Sequence, residues 1–353
     1  MKKFYEIFNP EQIRGLFLFS LIIIVILIFS SLIPDYMNAR FINRLSTSVA
    51  IVGVLAVAQS LVFLTRNFDL SLGSIVGVTA YLLGQQLWWH PEIPPLVAVL
   101  IGIGFGLVMG AINGLIIGYG RVPSLITTIG TQAIFRAFLV EYSNAVPITT
   151  NNLPDWIVNL NQLSLFTIQG VEFRVLFGIL LLVGIAFHLL LKYHRFGRRL
   201  YAIGSNPPAA RVAGFNDKKI VFLAFLVCGG LAGLAGFMYL TRFGNIMVLA
   251  GIGLEFSAIA AAVVGGVSNN GGAGTMFGAI LGGLLIDLLE NSLFRTVAVS
   301  EFWRDAILGM LILLAVVIDY IVIGRLRRVW ARIGFKMDSE DAEKTLEGAE
   351  HVK

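Results

Sequence analysis

Polar residues inside long apolar stretches are the first candidates for chemistry in this 353-residue chain. A polar side chain is costly in hydrocarbon, so it faces a cavity or another helix rather than lipid. No run of ionisable groups accompanies these residues, which favours a neutral, hydrogen-bonding ligand over protons. The alternative role for each side chain is to join neighbouring helices. Five of them form a candidate path through the protein: Gln59, Asn113, Thr128, Gln132 and Glu255.

Catalytic and metal-binding patterns are missing from the sequence. His90 and His194 lie in opposite loops, and His188 and His351 have no acidic or cysteine partner at metal-ligand spacing. Neither a Walker lysine motif nor a Gly-x-Ser-x-Gly elbow occurs. The single cysteine, Cys228, excludes a disulfide framework and a cysteine-rich metal site. We therefore predict no catalytic residue, no metal and no cofactor, and we do not expect the chain to hydrolyse ATP by itself.

A short polar segment, residues 65–74, separates two apolar stretches and has the composition of a capped turn. Asp69 or Ser71 can cap the start of a helix that begins near Gly73. Arg66 can pair with Asp69 across the turn. We expect this structural turn whatever the function.

A second segment, residues 197–214, predicts a short helix between two apolar stretches. Pro207 and Pro208 can start this helix and Gly214 can end it. Two interpretations remain open: the helix inserts into a groove on a cytoplasmic partner, or it is a solvated connection. On the first interpretation the small residues Ala209, Ala210 and Ala213 form a smooth face, with Asn206 before the helix and Arg211 on another side.

Ten apolar stretches occupy most of the chain and define its class. A transmembrane helix needs about 20 mostly apolar residues. Hydrophobic residues are 57% of the chain and charged ones 13%, about half of the ~25% that is usual in soluble domains. We predict an all-α polytopic membrane protein with about ten transmembrane helices, packed through many of its 38 glycines. The candidate spans are residues 15–33, 46–64, 72–88, 95–117, 124–140, 175–191, 220–240, 254–267, 276–289 and 303–323.

Charge placement predicts the orientation. Segment 141–171 contains no Lys or Arg, whereas segment 192–219 carries seven basic residues and one acid. Because short cytoplasmic loops are enriched in Lys and Arg, segment 192–219 is predicted to be cytoplasmic and segment 141–171 an outer loop. The N-terminus (1–14) and the tail (324–353) are then both cytoplasmic and enclose a membrane domain over 15–323. Anionic lipid headgroups account for the net charge of +5, so no nucleic-acid partner is expected.

The two polar segments, with a third, carry a resemblance to a known family. Over residues 15–322 the chain resembles the permease subunits of ribose-type sugar importers driven by ATP-binding cassettes. The matching motifs are Asp69-Leu-Ser-Leu-Gly-Ser74, Tyr201-Ala-Ile-Gly-Ser-Asn206 with the following Ala209-Ala210 and Ala213-Gly214, and Gly253-Leu-Glu255 continuing to Gly278. Leu64-Thr-Arg66-Asn before the first motif is most similar to permeases for rhamnose and for autoinducer-2.

The resemblance implies a fold, partners and a location. The fold is the cobalamin-importer-like (type II) permease arrangement in the cytoplasmic (inner) membrane. The implied partners are a cytoplasmic ATP-binding-cassette ATPase, an external or periplasmic sugar-binding protein and a second permease subunit, in a homodimer or heterodimer. The segment with Asn206, Ala209, Ala210, Arg211, Ala213 and Gly214 is implied to couple the permease to the ATPase.

Two other classes of function compete with this one. An ion-coupled secondary transporter usually carries paired intramembrane Asp, Glu, Lys or His residues, and these are not paired here. A membrane-embedded transferase usually brings clustered carboxylates or histidines to the headgroup level, and none are clustered in the sequence. We therefore predict a sugar-translocating permease subunit without catalysis of its own.

Overall fold

The computed structural model describes residues 10–168 and 170–296, together with the single positions 303, 306, 309, 310 and 313. Apart from those single positions, the predicted tenth span (303–323) and the tail (324–353) lie outside the described residues, as do residues 1–9. The helices are α1 Pro10–Leu32, α2 Ala39–Phe63, α3 Leu72–Trp89, α4 Pro95–Gly114, α5 Ser124–Ser143, α6 Asp155–Leu160, α7 Val175–Tyr193, α8 Arg195–Ser205, α9 Pro207–Val212, α10 Asp217–Phe243, α11 Leu254–Val264 and α12 Met276–Thr296. A π-helical turn, Leu115–Tyr119, extends α4, and an antiparallel hairpin of β1 Ser164–Ile168 and β2 Val171–Arg174 precedes α7.

The first nine predicted stretches each coincide with a helix. Within the described residues, six helices are long and apolar enough to cross a membrane: α1, α2, α4 with its extension, α7, α10 and α12. Helices α3 and α5, of 18 and 20 residues, lie between them in the chain. The chain is a polytopic helical membrane protein, as its composition predicts.

Helix α2 is the centre of the bundle. In its most apolar window, 94% of the residues are buried inside the protein, and it packs against α7, α10, α11 and α12. Helix α7, by contrast, has only 28% of its window buried, as expected of a helix that faces lipid. A helix buried on all sides keeps its polar side chains, among them Gln59, away from lipid, so these must bind within the protein.

Helices α4 and α10 meet through glycines. A methyl group on Gly229 of α10 would lie 2.6 Å from the Cα atom of Gly110, and one on Gly233 would lie 3.0 Å from the Cα atom of Gly106. Real side chains do not tolerate such distances, so the two backbones are in direct contact. Small residues permit this approach where lipid supplies no hydrophobic driving force between helices. These glycines are packing residues, as the apolar context predicts.

The predicted eighth span, residues 254–267, is not a full span. Helix α11 ends at Val264 and has 11 residues, about 16 Å of helix, roughly half of a hydrocarbon core. Residues 244–253 before it form no helix. They lie against α3, because a methyl group on Gly73 would meet the Gly251 carbonyl oxygen. They also lie near the middle of α2, because Gly251 and Ile51 line one cavity. We call residues 244–253 the broken segment.

The two loops of contrasting charge lie at opposite ends of α2. Near its start, the Asn43 side chain accepts from the backbone N–H of Glu172 at 2.8 Å, next to the β-hairpin. After its last residue, Arg66 Nε donates to the carbonyl oxygen of Gly204, in the basic loop, at 2.6 Å. We call these the hairpin end and the α9 end.

Candidate functional site

The turn between α2 and α3 is built around a buried carboxylate. Asp69 is fully buried, and its Oδ1 accepts from the backbone N–H of Ser71 at 2.9 Å and from its hydroxyl at 2.6 Å. This bonding closes the turn before α3, but Asp69 bonds the N-cap residue itself and no N–H of the helix. Ser71 is the N-cap position, but its side chain bonds Asp69 and not the helix.

Two residues of the predicted path, Gln59 and Asn113, bind this turn. Both are fully buried. With its amide nitrogen toward the Asp69 carbonyl oxygen, Gln59 donates at 3.1 Å and accepts from the Asp69 N–H at 3.3 Å. Asn113 donates to the Ser71 hydroxyl oxygen at 2.8 Å, and the Cys228 thiol lies 3.9 Å from Asp69 Oδ2. Helices α2, α4 and α10 therefore all hold the turn.

Arg66 does not pair with Asp69, and this part of the prediction is wrong. Its Nε donates to the carbonyl oxygen of Gly204 at 2.6 Å and its Nη2 to that of Ser205 at 2.9 Å. These carbonyls end α8, where a helix lacks internal donors and a positive charge is favourable. Arg66 itself has a left-handed backbone (φ +65°), which costs about 1–3 kcal/mol outside glycine. The two bonds offset that cost.

The loop before α12 is the third segment that packs at the α9 end. The Tyr201 hydroxyl of α8 donates to the carbonyl oxygen of Gly274 at 2.7 Å. Gly272 packs so closely on Ser205 that a methyl group would collide with its backbone, and its φ of +70° also favours glycine. The turn after α2, the end of α8 and the loop before α12 thus form one joint, which we call the α9-end junction.

The broken segment is held by Arg136 of α5. Its Nη1 donates to the carbonyl oxygens of Val248 and Ala250 at 2.8 and 2.7 Å. Non-helical backbone at membrane depth must bind protein groups or line a water-filled cavity, because lipid offers no hydrogen-bond partner. Arg136 supplies these donors for two carbonyls of the segment. Gly73 and Gly77 of α3 leave the room for it, since a methyl group on Gly77 would meet the Ala250 carbonyl.

Glu255 lies in the first turn of α11, directly after the broken segment. It is 2% exposed, and its Oε1 accepts from Gln132 Nε2 at 3.0 Å. A carboxylate is favourable at a helix N-terminus. Its Oε2 has no hydrogen-bond partner within the described part of the chain. Two residues of the predicted path, Gln132 and Glu255, are therefore in contact across α5 and α11.

Thr128, the fifth residue of the predicted path, is buried and bonds its own helix. Its hydroxyl donates to the carbonyl oxygen of Ser124 at 2.8 Å. The five residues thus fall into three places: the Asp69 turn, the interior of α5 and the start of α11. The contact between Gln132 and Glu255 is the place where polar side chains meet at a break in a helix, as in transporters whose substrate sites lie at discontinuous helices.

The predicted coupling segment folds as the sequence predicts locally. Pro207 and Pro208 begin α9, and the Asn206 side chain accepts from the N–H of Ala209 at 3.1 Å. Gly214, with φ +80°, follows the end of the helix. The Arg211 guanidinium bonds Asp217 at 2.8 Å, at an exposed site.

The exposed face of α9 differs from the predicted face of small residues, Ala209, Ala210 and Ala213. Ala210 is only 5% exposed and packs inside this chain, whereas Ala209 and Ala213 are exposed. Val212 is 91% exposed and shares a helical face with them by the i, i+3, i+4 spacing. The face of α9 that is exposed, and so can contact a partner, consists of Ala209, Val212 and Ala213. The sequence offered no local sign that Val212 points outward, because the burial of Ala210 depends on α8 and α10.

Comparison with known proteins agrees with this architecture. Residues 41–316 match the family described as branched-chain amino acid transport system / permease component. The autoinducer 2 import system permease protein LsrC of Salmonella typhi is 34% identical over 306 residues, 87% of this chain and 84% of the relative. The ribose import permease protein RbsC of Escherichia coli (strain K12) is 32% identical over 301 residues, 84% of this chain and 91% of the relative.

The family match identifies this helical bundle as a membrane transport component. The chain belongs to the family of branched-chain amino acid transport system permease components. The resemblance to importer permeases, the multi-pass membrane location and the absence of an enzymatic role in the relatives are all in line with the sequence analysis. No solved structure matches the chain.

Proposed function

We propose that this chain is the membrane-spanning permease subunit of an ATP-binding-cassette importer for a small neutral sugar or sugar-like molecule. The observation that carries the proposal is the pair of import permeases that are 34% and 32% identical over more than four fifths of the chain. The broken segment and the α9-end junction supply the two parts that such a subunit needs: an interrupted span beside the path and a site where force enters.

The cargo we favour is rhamnose or autoinducer-2. The support is the Leu64-Thr-Arg66-Asn sequence before the Asp69 turn. The relatives include an autoinducer-2 and a ribose permease at nearly equal identity, so overall identity supports the class of small polyhydroxylated molecules. The buried surface of α2 and α5 offers hydrogen-bonding side chains and few charges, which suits such a cargo.

For the topology we propose ten spans, with residues 1–14 and 324–353 in the cytoplasm and the membrane domain over 15–323. The placement of loops 141–171 and 192–219 at opposite ends of α2 supports it. The α9 end is then cytoplasmic and the hairpin end faces outward. On this orientation the α9 end carries the basic loop, in accord with the excess of Lys and Arg on the inner side.

We propose that the exposed face of α9 docks on the cytoplasmic ATPase. Small side chains with one projecting Val212 permit close approach of a partner backbone. Movement of α9 reaches the turn after α2 through the bonds from Arg66 to the end of α8. That turn continues through Asp69 into α3, which borders the broken segment. A continuous contact route therefore joins the docking face to the proposed path.

At the hairpin end, we propose docking of an external sugar-binding protein. Four arginines line one cavity of about 580 Å³ there: Arg40, Arg44, Arg174 and Arg242. They are unusual on the outer side of a membrane protein, and gathering them at one site suits a partner with acidic residues. A second permease subunit, the same or a sister chain, would cover part of the exposed apolar surface of α5, such as Ile126 and Ile134.

Reconstitution tests the proposal. The permease, its ATPase and the binding protein would be placed in liposomes, and uptake of autoinducer-2, L-rhamnose and D-ribose would be measured with and without ATP inside. We expect ATP-dependent uptake of one of them. Uptake that needs an ion gradient and no ATPase would contradict the proposal and favour a secondary transporter.

A further inference from the structure

A cavity of about 350 Å³ lies inside the single subunit, between α2, α10, α12 and the broken segment. That volume lies within the ~300–1,000 Å³ range of small-molecule sites. Its innermost residues are buried: Ser48 is 6% exposed, Ile51 2% and Asp287 2%. Exposed side chains, Leu249 and Ile252 of the broken segment, form its rim. The cavity therefore has a closed floor and an open side.

The position of the cavity in the bundle is defined by the helices that line it. Ser48 belongs to the first half of α2, Tyr239 to the last turns of α10 and Asn291 to the last third of α12. All three places lie toward the hairpin end. The deepest lining, at Ile51, reaches the middle of α2. A molecule that enters from the hairpin end can thus reach half of the way through the bundle.

The polar lining suits a polyol. Asp287, Glu290 and Asn291 line the cavity from neighbouring positions of α12. Ser48 donates to Asp287 Oδ1 at 2.5 Å, and Ser257 donates to Glu290 Oε1 at 3.0 Å, which fixes both carboxylates in place. The carboxylate oxygens can accept from hydroxyls of a polyol. The Asn291 amide, which already donates one N–H to the Asp287 carbonyl oxygen at 2.8 Å, and the Arg242 guanidinium can donate to hydroxyl oxygens.

An aromatic wall faces these groups. The rings of Tyr239 and Phe243 lie one turn apart on α10, with centroids 4.4 Å apart, and both line the cavity. A sugar ring presents apolar C–H bonds on its faces and hydroxyls at its edge, so it matches a wall of rings opposite a row of acceptors. A mostly apolar pocket with a few fixed polar groups is the usual construction of a small-molecule site.

We infer that this cavity is a low-affinity cargo site for a monosaccharide-sized polyol, reached from the hairpin end. The inference rests on the proposed function and names a site that none of the five sequence-predicted path residues lines. The broken segment supplies its fourth wall, and binding sites of transporters are found where a helix is interrupted. Movement of that segment, held by Arg136 and bordered by α3, would open the floor toward the α9 end.

Cysteine protection tests occupancy of the site. Asn291→Cys would be introduced into the Cys228→Ala chain, and its modification by a small thiosulfonate reagent would be timed in liposomes. Gln162→Cys, exposed on the loop between α6 and β1, is the matched control. At about ten times the dissociation constant, L-rhamnose, D-ribose or autoinducer-2 should slow modification of Asn291→Cys about tenfold and leave Gln162→Cys unchanged. Unchanged rates at both positions with the sugar that the wild-type complex imports would overturn the inference.

Import assays separate this inference from the proposed function. Asp287→Asn and Glu290→Gln preserve shape and remove one charge each, and each should lower uptake about tenfold with the complex intact. Asp155→Asn makes the same change on the exposed start of α6 and should import normally. Wild-type uptake by both cavity variants would overturn the cavity site and leave the importer proposal standing. A wild-type complex that imports none of the three sugars would instead contradict the proposed function.

Discussion

Arg66 donates from Nε to the carbonyl oxygen of Gly204 at 2.6 Å, across 138 positions of sequence. This bond connects the turn that follows the central helix α2 to the end of α8, the helix that precedes α9. The proposed docking face of α9 is therefore connected to the interior of the bundle by this side chain, in addition to the contacts of Tyr201 and Gly272. A charge-assisted hydrogen bond contributes about 1.5–3 kcal/mol, so the connection is strong enough to transmit movement.

Replacing Arg66 should uncouple ATP hydrolysis from import. In Arg66→Ala both bonds to α8 are lost, while the exposed face of α9 is unchanged. We expect the ATPase to co-purify at the wild-type level and uptake to fall about tenfold or more. Arg66→Lys keeps the charge but has no planar fork to reach both carbonyls, so its uptake should be intermediate. Wild-type uptake by Arg66→Ala would show that force takes another route.

The docking face of α9 should tolerate loss of size but not a charge. Val212→Glu places a carboxylate in the proposed contact with the ATPase and should abolish co-purification while membrane insertion stays normal. Val212→Ala removes the same side chain without adding charge and should weaken association only slightly. If Val212→Glu still binds the ATPase and imports, α9 is a solvated connection. Ala210→Glu is the less specific test, because Ala210 is buried within this chain.

Arg136 should matter for stability more than for assembly with partners. Arg136→Leu leaves the carbonyls of Val248 and Ala250 without their donor, at a cost of about 2–4 kcal/mol. We expect a clear fall in the apparent melting temperature of the detergent-solubilised protein. Arg121→Leu, on an exposed arginine between α4 and α5, is the control and should melt near the wild-type temperature. Equal melting temperatures for both variants would show that the broken segment needs no such support.

Substitutions of the polar residues in the candidate path should have different effects, depending on where each residue lies. Gln59→Leu removes both bonds to the Asp69 backbone and should destabilise the protein, seen as reduced yield and melting temperature. Gln132→Leu removes one bond to Glu255 and should leave yield unchanged but slow import. Normal import by both Gln132→Leu and Glu255→Leu would place the path away from the start of α11.

The orientation can be checked with an impermeant thiol reagent. In a Cys228→Ala chain, Gln162→Cys should be labelled on intact cells and Ser205→Cys only after the membrane is opened. The basis is the contrast between the Lys- and Arg-free segment 141–171 and the basic segment 192–219. Labelling of Ser205→Cys on intact cells would reverse the proposed topology.

Local features were predictable from the sequence, and contacts between distant elements were not. Apolar stretches located the first nine helices because a membrane span needs a fixed length of apolar residues. Asp69, Pro207 and Gly214 were assigned to turns and caps by local backbone chemistry alone. The partner of Arg66 and the inward direction of Ala210 depend on how α8 packs against other elements, which periodicity does not encode. The cavity was not predictable for the same reason, since its walls come from four separate parts of the chain.

The direct backbone contact between α4 and α10 limits where this protein can change shape. With no side chains between Gly106, Gly110, Gly229 and Gly233, a rotation of either helix would drive larger neighbours into the opposite backbone. Sliding by one residue would do the same. We therefore expect these two helices to move as one rigid unit. A change of shape would then involve elements outside this pair, such as α3, which contacts both helices, and α11, which contacts neither closely.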